Sequence, residues 1–95
     1  MPSKFVLIAY DITDNSLRNR LVDVLFYFNL QRVQYSVFLG YISETHLNHM
    51  VEQIYDDFEH EDVKILIVEI CKGCFKNIRS INYDIPKEER KHLVV

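Results

Sequence analysis

The chain has 95 residues, 48% of them apolar, with two Gly, two Pro and a formal net charge of −3. That length gives one compact domain, residues 1–95, and that composition excludes a disordered chain and a core that needs disulfides or metal to hold. No apolar stretch approaches the roughly 20 residues that cross a bilayer. The Met-Pro-Ser-Lys start leads towards a strand without a small-residue cleavage site, so a cytoplasmic protein with no membrane contact is expected.

The charge is unevenly spread. Residues 1–40 carry four Lys and Arg against three acids, and residues 63–95 carry seven against four. Residues 41–62 carry seven acids and no Lys or Arg. The acidity therefore belongs to one segment, and a basic surface elsewhere is compatible with the negative total.

Phe5 to Tyr10 is apolar at every position, which predicts a strand buried on both faces near the middle of a sheet. Asp11 follows at its end. Asp14 or Ser16 caps a first helix over 15–28, where Leu17, Leu21, Val24, Leu25 and Phe28 form one apolar stripe. Asn29 suits its stop. Residues 31–42 are rich in β-branched and aromatic side chains and read as two strands, with Gly40 able to permit a bulge. Ser43 caps a second helix whose stripe is Leu47, Met50, Val51, Ile54 and Phe58. Val63 to Ile70 is another apolar strand, and Ile78, Ile81, Tyr83 and Ile85 suggest a further short one ended by Pro86. The order predicts an α+β sandwich of the ferredoxin-like βαββαβ kind, with two helices on one face of the sheet. A two-fold dimer pairing sheet to sheet is the simple cover for the other face. The apolar end Leu93-Val94-Val95 is expected to pack on that partner, with 76–95 as C-terminal strand and tail.

A carboxylate at the lip of a buried strand is poorly explained by packing. Asp14 lies nearer the helix start and is the better cap, which frees Asp11 to hold a metal. Mg²⁺ takes only one or two protein carboxylates, so two copies of Asp11 facing each other across a two-fold axis would suffice. Arg18 and Arg20 are two apart on a helix and point in different directions. With Arg32 they are either solvated surface charge or phosphate contacts. Tyr10, Tyr35 and Phe38 flank the same region as core residues or base-stacking rings.

Other features carry less. Cys71-Lys72-Gly73-Cys74 is a C-x-x-C, which supplies two of a zinc ion's four ligands unless a dimer supplies the rest. It lacks the Trp or Pro usual in redox motifs, so free thiols in a reducing cytosol are the simplest reading. His46 and His49 lie one turn apart with no third ligand. Glu69, within an apolar strand, belongs at a sheet edge or a dimer contact.

The strings Tyr10-Asp11-Ile12-Thr13-Asp14-Asn15-Ser16-Leu17-Arg18-Asn19-Arg20 and Leu30-Gln31-Arg32-Val33-Gln34-Tyr35-Ser36-Val37-Phe38 resemble the signature of the CRISPR-associated protein two family. The resemblance is close over about the first 42 residues. It implies a homodimer joined through the sheets, with the C-terminal strand crossing to the partner. It also implies a metal-dependent nuclease acting on single-stranded RNA or double-stranded DNA, and docking between dimers of the CRISPR integrase during spacer acquisition. The family's metal-binding aspartate matches Asp11, and its accompanying positions match Tyr10, Arg18, Arg20, Arg32 and Phe38. On this reading the acidic 41–62 segment should lie away from bound nucleic acid. Two competing readings are a non-catalytic DNA-binding adaptor and a toxin-type ribonuclease of related fold.

Overall fold

The computed structural model describes residues 3–85. In chain order it comprises β1 (Ser3–Asp11), α1 (Asn15–Tyr27), β2 (Gln31–Gln34), β3 (Val37–Ser43), α2 (Glu44–Phe58), β4 (Lys64–Ile70) and a short α3 (Lys72–Phe75). The four strands form one sheet in the order β2-β3-β1-β4. Every neighbouring pair is antiparallel. This is the ferredoxin-like βαββαβ arrangement, with β1 in the interior as its unbroken apolar run requires.

Alternation along the strands sorts the side chains into two faces. Val6, Ile8, Tyr10 and Ile12 enter the main core, where Leu21, Val24 and Leu25 of α1 and Leu47, Met50, Ile54 and Phe58 of α2 close over them. The predicted stripes are thus the buried faces of both helices, except that Val51 stays exposed. On the other face, Leu7 pairs with Leu39 and Val68, and Ala9 with Val37 and Leu66. Phe5, on that same face, lies under Phe75 with ring centroids 4.7 Å apart and beside Tyr41 at 4.9 Å.

The helix ends follow the sequence. Asp14 Oδ2 accepts from the Leu17 amide at 2.9 Å, and Ser43 Oγ accepts from the His46 amide at 3.2 Å. Asn29 takes φ 66°, the left-handed conformation that turns the chain out of α1. Gly40 differs from expectation, because the register shift lies between Arg32 and Gln34 of β2. Gly40 instead makes room for Leu30: a Cβ there would stand 2.7 Å from Leu30 Cδ2 and 3.2 Å from its Cα.

Glu69 lies on β4, an edge strand, and faces Lys4 Nζ at 3.9 Å, so the sheet-edge reading holds. Residues 76–85 form turns and bends, not the expected strand. The segment passes the β2 edge without joining its ladder, and a side-chain bond holds it there: Tyr83 Oη donates to Gln34 Oε1 at 3.4 Å. The expected contact of Leu93-Val94-Val95, and the stop at Pro86, fall outside the described residues.

The Leu30 contact yields a direct expectation. Gly40→Ala should lower stability by about 1–3 kcal/mol through overpacking, seen as a lower urea midpoint with an unchanged slope. An unchanged midpoint would contradict the close approach.

Candidate functional site

Asp11 is the last residue of β1 and is exposed. It pairs in register with Lys64, the first residue of β4. Since Leu7, Ala9 and Asp11 alternate with the core residues, its side chain belongs to the sheet face that the helices leave open. Among the described residues its carboxylate has no hydrogen bond or ion pair closer than 4 Å. Asp14, three residues on, is committed to the α1 cap. The cap expected of Asp14 is therefore the one found.

At the same end of the sheet, the start of α1 and the β2–β3 turn build a cationic cluster. Arg18 is half-buried. Its Nη1 donates to the Ile12 carbonyl at 3.0 Å and the Thr13 carbonyl at 3.4 Å, and its Nη2 hydrogen-bonds Asn15 Oδ1. These bonds fix the loop that follows Asp11. Tyr10, 6% exposed, sends its hydroxyl through the core to the Tyr35 carbonyl at 2.9 Å and accepts from Arg32 Nη2 at 3.5 Å. Arg32 lies over two rings, 5.6 Å from the centre of Tyr35 and 5.3 Å from that of Phe38. Arg18 also lies over Tyr35, at 5.7 Å.

Four of the predicted residues therefore gather around the Tyr10–Tyr35 link at the end of the sheet, on the face opposite the Asp11 carboxylate: Tyr10, Arg18, Arg32 and Phe38. Tyr10 and Phe38 do so from inside the core, Phe38 being fully buried. They support the arginines and offer no open face for a base to stack on. Arg20 does not join them. Two residues along a helix turn a side chain to another side, and its guanidinium lies 5.3 Å from the ring centre of Phe58 at the end of α2. Tyr35 is the residue that the sequence argument underweighted. It is 65% exposed and gathers both arginines. Its place in the turn between two strands was the available signal.

The end of the acidic segment reaches the Asp11 end of the sheet. Residues 59–63 lead directly into Lys64, opposite Asp11, so Glu59, Glu61 and Asp62 reach the same end of the sheet. The cause is topological: α2 must return to that end for β4 to start antiparallel to β1. The two signs of charge are nevertheless on opposite flanks. Arg18, Arg32 and Tyr35 lie towards β3 and β2, and the acids towards β4.

Among the described residues no group of three or more His, Cys, Asp or Glu side chains gathers into a metal site. A single exposed carboxylate fits Mg²⁺, which binds through one or two protein carboxylates and keeps its waters. It does not fit zinc, which needs three or four protein ligands. No helix among the described residues is long and apolar enough to cross a membrane.

Comparison with known proteins agrees with this fold. Residues 4–78 match the family model described as CRISPR associated protein Cas2. The chain is 36% identical over 95 residues to the CRISPR-associated endoribonuclease Cas2 1 of Methanospirillum hungatei, covering all of both chains. Among solved structures it is similar to a Cas2 crystal structure, with TM-score 0.62 and 26% identity over 72% of this chain and 75% of the other. It is also similar to a chain of a partial Cas6-RT-Cas1–Cas2 complex, with TM-score 0.59 and 27% identity over 83% of this chain and 91% of the other.

The two aspartates should separate in a stability measurement. Asp14→Ala removes a cap and should cost about 1 kcal/mol, whereas Asp11→Ala should stay within about 0.5 kcal/mol of the wild type. Urea unfolding of both variants checks this, and a large loss in Asp11→Ala would make Asp11 structural.

Proposed function

The chain belongs to the CRISPR-associated Cas2 family, and from that premise we propose that it is a Mg²⁺-dependent endonuclease working in CRISPR spacer acquisition. The observation that carries the proposal is Asp11: an exposed carboxylate without a partner among the described residues, at the end of an interior strand. It stands on the open sheet face, at the end of the sheet where Arg18, Tyr35 and Arg32 gather on the helix-covered side.

In this reading two chains pair through their open sheet faces, and Asp11 of each contributes one carboxylate to a shared Mg²⁺. The bound ion would supply an activated water and neutralise charge on the scissile phosphate. The protein's own residues do the rest. Asp11 is held in place by its pairing with Lys64 of β4, one residue after the Tyr10 amide bonds the Ser36 carbonyl on the other side. Arg18 and Arg32 face the phosphate backbone, their directions set by the Ile12 carbonyl, the Tyr10 hydroxyl and the Tyr35 ring. Such contacts orient a strand without reading its bases, so sequence preference should be weak. The acids of 59–62 repel a polyanion from the β4 flank and direct it over the arginines. The substrates proposed are single-stranded RNA and double-stranded DNA. Residues 76–95 are proposed to reach the partner subunit.

The similarity to a chain of a Cas1-containing complex favours a second role, a DNA-binding adaptor between CRISPR integrase dimers. That role needs the arginines and the dimer but not Asp11.

The test is metal-dependent cleavage of labelled RNA and DNA, side by side. Wild type should cleave with Mg²⁺ and stop when the metal is chelated, and Asp11→Ala should not cleave although folded. Arg32→Ala should bind either nucleic acid more weakly, with a smaller salt dependence. Full cleavage by Asp11→Ala would remove Asp11 from the mechanism. Spacer integration retained by that variant would assign acquisition to the adaptor role.

A further inference from the structure

At the far end of β4 the chain turns through Cys-Lys-Gly-Cys, a feature for which phosphodiester chemistry has no use. Cys71 and Cys74 are both exposed free thiols. Cys71 Sγ accepts a hydrogen bond from the Cys74 amide at 3.2 Å. Residues three apart on a helical turn share a face, and a disulfide closes when Cα atoms lie roughly 4.4–6.8 Å apart. The Cys71 sulfur at the Cys74 amide puts both thiols on one turn. The turn is also open to reagents: a Cβ at Gly73 would meet nothing nearer than Cys71 Sγ, at 3.9 Å.

The two thiols are not equivalent. Hydrogen bonds from the Cys74 amide and then the Cys74 thiol hold Cys71 below its ordinary pKa. Cys74 is raised, first by its hydrogen bond to Cys71 and then by the negative charge there. One sulfur is thus disposed to attack and the other to remain a thiol until needed.

We propose that Cys71 and Cys74 form a thiol–disulfide couple, with Cys71 the attacking sulfur, Cys74 the resolving one, and a small disulfide of the glutathione class as oxidant. The Cys71 thiolate attacks one sulfur of the small disulfide. A mixed disulfide forms as the old S–S bond breaks, and one small thiolate leaves. Cys74 then gives up its proton, and its sulfur attacks Cys71 Sγ and expels the second small thiolate. Two protein thiols are oxidised to one disulfide, and one small disulfide is reduced to two thiols that take up the released protons. The new bond braces the turn that seats Phe75 against Phe5 and Tyr41, where the chain leaves the sheet for its C-terminal segment.

The experiment incubates the full chain with oxidised glutathione, quenches with acid and reads intact mass. The wild type should lose two hydrogens per chain and keep no adduct. Cys74→Ser should accumulate one glutathione on Cys71, and Cys71→Ser should acquire its adduct more slowly. Two glutathiones per wild-type chain, a disulfide between chains, thiols withheld by a bound zinc ion, or equal rates in the two single variants would overturn the proposal.

Discussion

The hydrogen-bonded position of β1 between β3 and β4 is the constraint on which the rest of the molecule depends. An interior strand pairs its backbone on both sides, so its side chains can only project up or down. In β1 that choice puts Val6, Ile8 and Tyr10 beneath the helices and Leu7, Ala9 and Asp11 on the open face. A slip of one residue would bury the carboxylate and expose the core residues. The register is therefore held by the whole hydrophobic core, and Asp11 inherits that rigidity without adding to it.

The neighbouring arginines are held differently. Tyr10 carries order from the core to the surface, since its ring packs inside while its hydroxyl ties the Tyr35 carbonyl to Arg32. Arg18 spends its donors on the Ile12 and Thr13 carbonyls. Both guanidiniums then lie over the Tyr35 ring. Two like charges brought to one ring are tolerated because the ring's π-face and the carbonyl oxygens are electron-rich. A phosphate passing over them would meet cations already oriented. Across β1, the acids preceding β4 set the opposite sign, so the end of the sheet is electrically polarised from one flank to the other.

Much of this was legible in the sequence because it follows from local rules. The β1 run, the two stripes, the Asp14 and Ser43 caps and the Asn29 stop each depend on a few neighbouring residues, and each is where spacing and propensity put it. Asp11 could be singled out for the same reason. What the sequence did not disclose depends on distant residues. Arg20 could be separated from Arg18 by helical geometry, but its seat on Phe58 needed the packing of α1 against α2. Tyr35 gained its importance from two arginines 17 and 3 positions away. Gly40 serves Leu30 and not a bulge, because the α1–β2 connection crosses β3 there. Alternating Ile and Tyr over 76–85 do not supply a pairing partner, and within this chain the segment joins no ladder.

The central claim is that Asp11 acts as one of a pair. Titration of the protein with Mn²⁺, followed by its electron paramagnetic resonance signal with the oligomeric state measured alongside, tests it most directly. The account predicts one tightly held ion for every two chains, displaced by Mg²⁺ and absent in Asp11→Asn. One ion per chain, or binding unchanged by that substitution, would contradict it.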